Sequence, residues 1–188
     1  MTVTRDDARA ALRDAEATGE RSQTLFRYEL SSPYLLLWGA LWIVAGVVAA
    51  VSPANTGFGW AAVDFVGLGG TAYLIVRHAR RCGTGDERVR LVRNIGTVAA
   101  LAAFVGLTLM LFGPVAGGDV TMLIALVMAA GYAVAGCWIG VRYAAVGVAL
   151  AGLCAGVFHL APAQVPVIVP IAGGGALILG GIWFRRSR

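Results

Sequence analysis

Two titratable side chains, Asp64 and His159, lie inside segments of the sequence that are otherwise almost wholly apolar. Ionisable groups in such segments are costly to place in lipid, usually face the interior of a helix bundle, and are candidates for function. Asp64 follows Trp60 by four positions, and His159 precedes Pro162 by three. If both segments form membrane-spanning helices, the two side chains lie at similar depth and could pair as a pH-sensitive gate. The alternative is that each is solvated separately near the lipid headgroups.

A stripe of polar and small residues continues from Asp64 along the same segment. Spacings of 3, 4, 4 and 3 place its members on one face of a helix, namely Asp64, Gly67, Thr71, Ile75 and His78. Such a stripe could line a path for a small solute, and the candidate path residues are then Asp64, Gly67, Thr71 and His159. It could equally be a packing seam between two helices, with its one carboxylate solvated near the headgroups.

The other reactive residues form no catalytic or metal-binding pattern. His78 and His159 are the two histidines of the sequence and fall at opposite ends of predicted helices, so a bis-histidine haem site within one chain is not expected. No HExxH, GxSxG, Walker A, GxGxxG or CxxC motif occurs. Cys82, Cys137 and Cys154 are expected to be free thiols. We therefore expect no enzymatic activity, no metal and no cofactor.

The composition is typical of an integral membrane protein. Hydrophobic residues make up 59% of the 188 residues, charged residues make up 13%, and the mean hydropathy is +0.78. Soluble domains carry about 25% charged residues, and a helix of about 20 apolar residues crosses the hydrocarbon core of a bilayer. The first 30 residues mix arginines with acids and lack the apolar core of a signal peptide, so the first span is expected to be retained.

We predict an all-α membrane protein with a bundle of six transmembrane helices. The apolar segments predict spans at 34–51, 60–76, 95–112, 120–139, 143–160 and 165–184. The chain would then divide into a cytoplasmic N-terminal arm (1–33), the transmembrane domain (34–184) and a short cytoplasmic tail (185–188).

The arginines predict the orientation of these spans. Every one of the 15 basic residues is an arginine, and all of them fall on one side of the six-span arrangement. Short cytoplasmic loops retain such residues, so both termini are predicted to be cytoplasmic. The connection between the second and third spans is a candidate contact for lipid or a partner protein, through Arg77, Arg80, Arg81, Arg88, Arg90 and Arg93. A single tilted helix through the turn at 140–143 would leave five spans and place the arginine-rich tail on the other side.

The six spans resemble three copies of one helical hairpin. Each odd-numbered span is followed by a small residue and a proline: Ser52-Pro53, Gly113-Pro114 and Ala161-Pro162. Each even-numbered span has a glycine 11 positions before an arginine: Gly69 and Arg80, Gly131 and Arg142, Gly174 and Arg185. The pattern predicts parallel repeats around an axis along the membrane normal. The alternative is that membrane topology alone produces these similarities.

Small residues predict how the helices pack. Gly136-xxx-Gly140 and Gly152-xxx-Gly156 are spaced for close approach of two helices in lipid, either within the chain or between two copies of it. Around His159, the face formed by Gly152, Ala155 and Gly156 is expected to be buried against a neighbouring helix. In the last span, Pro166 fits a first helical turn, and Pro170 is expected to kink the helix.

The N-terminal arm is predicted to form an amphipathic helix beginning near Thr4, to break at Gly19, and to resume as an interfacial segment over 25–30 that leads to Pro33. It would dock onto a partner or another subunit, or else remain a frayed arm. The segment 27–39 has a distinctive sequence, RYELSSPYLLLWG, to which these patterns assign no role.

Two functions are compatible with these features. The first is a small-solute or ion channel or transporter, with the Asp64 stripe lining the path. The second is a non-catalytic membrane sensor or accessory subunit that binds a partner through its arm and its arginine-rich loop. The arginine-only basic composition, with abundant alanine, glycine and valine, suggests a bacterial inner-membrane protein. No nucleic-acid partner is predicted.

Overall fold

The computed structural model describes residues 5–82, 103–104, 106–108, 110–111 and 117–186. Within these ranges the chain forms helices and no strands. The five long helices are α1 (Arg5–Val51), α2 (Thr56–Cys82), α3 (Gly117–Ile139), α4 (Val141–Leu160) and α5 (Val165–Arg185). Two 3₁₀ turns, Pro53–Asn55 and Pro162–Gln164, connect α1 to α2 and α4 to α5.

The five long helices are each apolar and long enough to cross a membrane, in the segments Ser22–Val51, Pro53–His78, Asp119–Ile139, Val141–Leu160 and Pro162–Arg185. The described part of the chain is therefore helical, and its five long helices fit a multi-pass membrane protein. Five of the six predicted spans overlap these helices, although the first two helices begin well before the predicted 34 and 60. The predicted span at 95–112 lies largely outside the described residues; the parts of it that are described, 103–104, 106–108 and 110–111, are helical.

The helix α1 is continuous over 47 residues, so the predicted break at Gly19 is wrong. A single glycine costs a helix about 1 kcal/mol relative to alanine, and the helix formers around it offset that cost. Pro33 also lies inside α1, although a proline removes one backbone hydrogen bond. Tyr28 and Leu35, on either side of this proline, are buried against other helices and hold the two halves in line.

The helices α1 and α5 run antiparallel and form the most extensive contact among the described helices. Glycines allow their backbones to touch: a Cβ atom on Gly39 would lie 2.7 Å from the carbonyl oxygen of Gly174, and one on Gly46 would lie 3.1 Å from that of Val167. The contact point thus moves back along α5 as it moves forward along α1, as in any antiparallel pair. In lipid, contacts of this kind replace the hydrophobic effect as the force that holds helices together.

The helices α3 and α4 form a tight hairpin around Gly140. Gly140 has φ = 148°, in a region of the backbone map that is essentially restricted to glycine. On either side of the turn, Gly136 packs against Ala144, and Gly147 packs against Ala129. The chain therefore reverses at Gly140, and the single tilted helix considered for this region is excluded.

Not every predicted small-residue contact forms. Around His159, Gly152 and Ala155 are exposed and Gly156 is half-buried, and no described atom lies within 4 Å of a Cβ placed on either glycine. The prediction that this face is buried against a neighbouring helix is therefore wrong for the described part of the chain. The close approaches involve other glycines, because the rotation of α4 turns Gly147 toward α3 and leaves Gly152 outside.

The two described connections that contain a small residue and a proline have the same backbone geometry. Ser52 (φ −141°, ψ 78°) and Ala161 (φ −149°, ψ 60°) each end an α-helix and precede a 3₁₀ turn that starts with proline. The amide of Ser52 donates to the carbonyl of Val48, and the amide of Ala161 donates to that of Val157, at 2.8 and 2.9 Å. The corresponding pair Gly113-Pro114 lies outside the described residues.

The order of packing places α1 and α5 at the centre. α2 packs mainly against α1, while α3 and α4 pack against each other and against α5. The core lies where α1, α4 and α5 meet, and its large buried side chains include Leu35, Trp42, Leu150, Leu177 and Phe184. Pro166 lies in the first turn of α5, as predicted, and Pro170 lies inside the helix.

Candidate functional site

The stripe that starts at Asp64 is, over its middle part, a packing seam. A Cβ atom on Gly67 would lie 2.6 Å from the indole ring of Trp38, and the indole Nε1–H of Trp38 donates a hydrogen bond of 3.1 Å to Thr71 Oγ1. The side chain of Trp38 in α1 therefore fills the space beside Gly67 and Thr71. Two of the four candidate path residues thus contact a neighbouring helix.

Asp64 itself is exposed on α2. Within the described ranges it forms no hydrogen bond or ion pair. Large apolar side chains surround it on the same uncovered surface, among them Phe65, which is 82% exposed, and Leu68, which is 55% exposed. A carboxylate at such a position requires water, a headgroup or another protein surface as its neighbour.

His159 lies near the end of α4, is exposed, and contacts the ring of Phe158 edge-on with 5.5 Å between centroids. No ion pair joins His159 to Asp64 in the described part of the chain. The two side chains lie apart because α1 and α5 separate α2, which carries Asp64, from α4, which carries His159. The structure therefore does not bring the predicted carboxylate–imidazole pair together.

A second group of residues lies at the arginine-rich end of the bundle, by which we mean the end that holds Arg77, Arg142 and Arg185. The guanidinium carbon of Arg142 lies 5.1 Å from the ring centroid of Tyr28 and 5.1 Å from that of Trp183. One guanidinium nitrogen, Nη1, is buried and has no hydrogen-bond partner among the described residues. Two cation–π contacts thus hold this charge where α1, α4 and α5 meet.

Side-chain hydrogen bonds connect the same three helices. The hydroxyl of Tyr143 in α4 donates to Ser31 Oγ in α1, and Ser31 in turn donates to the carbonyl of Arg27 at 2.8 Å. The neighbouring Ser32, completely buried, donates to the carbonyl of Gly181 in α5 at 2.8 Å. Two consecutive serines therefore join α1 to two different helices. The ring of Tyr28 stacks on the ring of Tyr143, and both rings contact Phe184 at tilted angles.

A cavity of about 380 Å³ opens between α1, α2 and α5 at this end. Three helices contribute polar, charged and apolar side chains to its lining; the complete lining is Glu29, Ser32, Pro33, Leu36, Leu74, Arg77, His78 and Arg185. The Nδ1 atom of His78 lies 2.8 Å from the carbonyl oxygen of Leu74 and therefore donates to it. The ring of His78 also stacks on Tyr34, with 6.1 Å between centroids.

Most of the predicted arginine-rich loop lies beyond what the structure describes. Arg77 is exposed and lines the cavity, whereas the side chains of Arg80 and Arg81 and the whole of Arg88, Arg90 and Arg93 lie outside the described residues. Among the residues that are described, no three His, Cys, Asp or Glu side chains lie close enough to hold a metal ion. Cys137 and Cys154 are free thiols.

The sequence patterns missed Tyr28, Ser31, Ser32 and Tyr143. The available signal was the polar and aromatic segment 27–39, which is unusual at the entry to a membrane span, but its partners lie more than 100 positions away in the sequence.

Comparison of the chain with protein-family models, with curated proteins and with solved structures finds no match.

Proposed function

We propose that this protein is a non-catalytic membrane adaptor, an accessory or sensor subunit whose first helix links a cytoplasmic partner to the bundle. The observation that carries the proposal is the continuity of α1. The helix begins at Arg5, whereas its apolar span begins at Ser22. At 1.5 Å per residue, the helix extends about 25 Å beyond the span.

The packing of α1 supports this function over transport. Any movement of the extension would reach the centre of the bundle directly, because α1 contacts both α2 and α5. The hydrogen bonds of Ser31 and Ser32 and the contact between Tyr28 and Arg142 lie in the first half of this span. In addition, Trp38 occupies the middle of the stripe that would otherwise line a solute path.

We further propose six crossings with both termini on the cytoplasmic side of a bacterial inner membrane. The antiparallel contact of α1 with α5 supports an even number of crossings. Gly140 follows the last residue of α3 and contacts Tyr28 at the arginine-rich end. This contact supports an α3 that runs toward the same end at which α2 finishes. The chain between Cys82 and Gly117 would then make the sixth crossing, and the clustered arginines favour the cytoplasm for their end.

The proposal of three repeated hairpins rests on the two proline turns with matching geometry. The matched glycines do not add to this support, because Gly69 and Gly131 are exposed whereas Gly174 is buried against α1. The topology can be tested with reporters fused after Gly59, Gly118 and Ala163. Six crossings with cytoplasmic termini predict that all three fusion points are exterior, and an interior signal at any of them would contradict the arrangement.

The adaptor function can be tested by quantitative co-purification from the native membrane. We expect a partner that is retained by the full chain and by Gly19→Ala, and is lost when residues 2–21 are deleted or when Gly19→Pro interrupts the helix. No described atom lies within 4 Å of a Cβ on Gly19, so Gly19→Ala is a matched control. An unchanged set of partners after deletion, with the bundle still folded, would reject the proposal.

Transport is a second candidate because Asp64 is exposed on a membrane-spanning helix. A charged residue at the centre of a span costs about 2.5–3.5 kcal/mol on insertion scales, so the face that carries Asp64 requires a polar neighbour. Proteoliposomes loaded with a pH-sensitive dye would test ion movement. Flux with the native chain and none with Asp64→Asn would support transport, whereas equal leakage with both would exclude this role for Asp64.

A further inference from the structure

The cavity at the arginine-rich end combines two guanidinium groups from different helices. Arg77 comes from the last turns of α2, and Arg185 is the last residue of α5. Neither makes a hydrogen bond or an ion pair within the part of the chain that the structure describes. Guanidinium groups bind phosphate and carboxylate through paired N–H donors. Two of them at one opening therefore favour an oxyanion as the ligand.

The other titratable groups of the lining limit the charge of that ligand. Glu29 of α1 is the one carboxylate in the lining, and His78 of α2 is the one imidazole. The two guanidinium groups and the one carboxylate together carry one net positive charge. This balance matches a singly charged phosphodiester better than a polyphosphate, which Glu29 would repel.

The apolar side of the cavity indicates an amphiphilic molecule. Pro33, Leu36 and Leu74 line the same space as the two arginines. All three lie within apolar spans, whereas Arg77 and Arg185 lie at the ends of theirs. The cavity thus reaches from the polar end of the bundle toward its hydrocarbon region. Its volume of about 380 Å³ is within the usual range of ligand pockets, about 300–1,000 Å³.

We propose that this cavity binds the phosphodiester headgroup of an anionic membrane lipid. The phosphate lies between Arg77 and Arg185, and the adjoining glycerol and upper acyl chain contact Leu36 and Leu74. A soluble phosphate shares the chemistry of the charged part but would leave the apolar side chains of the lining, Pro33, Leu36 and Leu74, without a ligand. This site is separate from the proposed adaptor function, which depends on the extension of α1.

Native mass spectrometry of the purified full chain tests the site. The protein is incubated with phosphatidylglycerol, with phosphatidylcholine, or with inorganic phosphate. We expect retention of phosphatidylglycerol over phosphatidylcholine, and a loss of at least about tenfold in affinity for Arg77→Gln combined with Arg185→Gln. Arg186→Gln removes an exposed arginine that does not line the cavity. This matched control should retain the lipid.

A variant that should bind the lipid more tightly distinguishes a specific loss of binding from a loss of folding. Glu29→Gln removes the negative charge from the lining and should raise the affinity for phosphatidylglycerol severalfold. An equal loss with Arg186→Gln would indicate diffuse surface charge and would overturn the site, as would equal retention of the two lipids. Retention of inorganic phosphate without lipid would identify a soluble ligand and overturn the lipid assignment. Because no partner protein is present, these results are independent of the co-purification test.

Discussion

The hydroxyl of Ser32 in α1 donates a hydrogen bond of 2.8 Å to the carbonyl oxygen of Gly181 in α5. The donor is completely buried, and the acceptor lies four residues before the end of the helix at Arg185. The bond fixes the start of the first span against the end of the last. It lies beside Pro33, where α1 lacks one of its own backbone hydrogen bonds.

Ser32→Ala should lower the stability of the folded bundle by about 1 kcal/mol, because hydrogen bonds between membrane helices contribute about 0.6–2 kcal/mol. The matched control is Ser22→Ala, since Ser22 is exposed on the same helix. Thermal unfolding in detergent measures both. Equal melting temperatures for the two variants would show that the bond is not stabilising.

Gly174→Ala should destabilise the bundle by about 1–3 kcal/mol, the usual cost of overpacking. Its Cβ atom would lie 2.5 Å from the carbonyl oxygen of Gly39, a backbone atom that cannot move aside. Gly175→Ala, one position further along, places its Cβ in open space and should leave stability unchanged or slightly raised. Unfolding in a denaturing detergent compares the pair; similar losses would contradict the close approach of α1 and α5.

Gly140→Ala should cost about 1–3 kcal/mol from backbone strain at φ = 148°, and more from a clash with the hydroxyl of Tyr28. The two causes can be separated. In a Tyr28→Phe background, the added cost of Gly140→Ala should be smaller, although strain remains. A double-mutant cycle measures this difference, and a cost that is identical in both backgrounds would mean that the hydroxyl of Tyr28 does not contact the turn.

Thr71→Val should lower stability modestly, by about 0.6–2 kcal/mol, because it removes the acceptor of the Trp38 Nε1–H hydrogen bond. Tyr73→Phe is the control, because Tyr73 is 65% exposed on the same helix. Thermal unfolding in detergent again gives the comparison. Unchanged stability together with altered ion flux in Thr71→Val would contradict the interpretation of this stripe as a packing seam and would support a solute path.

Asp64→Asn and His159→Ala should act independently. Changes at sites that share no partner usually add within about 0.3–0.5 kcal/mol, and α1 and α5 separate the two helices that carry these residues. The free energy of unfolding is measured for both single variants and the double variant across pH 5–8. A coupling energy above about 1 kcal/mol that changes with pH would restore the predicted pair.

Hydropathy was sufficient to predict which described segments form apolar helices long enough to cross a membrane, although the first of them begins at Ser22 and not at 34. The predicted span 120–139 differs from the observed Asp119–Ile139 by one residue at its start, and 143–160 from Val141–Leu160 by two. The turn at Gly140 was also predictable, because a lone arginine and a glycine interrupt the apolar run. These are local properties of the chain, set by the cost of placing backbone and charge in lipid.

The pairing of helices was not predictable in the same way. The sequence contains 26 glycines, and its pattern does not distinguish Gly174, which contacts α1, from Gly175, which faces open space. The stripe at Asp64 shows the same difficulty, because a small polar face can contact water or an indole ring. The position of Trp38, which lies on another helix, decides whether this face contacts water or an indole ring. Likewise, the continuity of α1 through Pro33 depends on contacts made far away in the sequence.

The bond between Ser32 and Gly181 joins residues 149 positions apart, and this separation has a consequence for biosynthesis. Translation proceeds at about 5–20 residues per second, so α1 waits on the order of 10 s in the membrane before its main partner is made. During that interval, the polar hydroxyl of Ser32 and the narrow face at Gly39 have no α5 to contact. The contact between α1 and α5 thus forms only after α5 has left the ribosome, and a chain truncated before α5 would present the newly inserted first helix to the cell's membrane quality control.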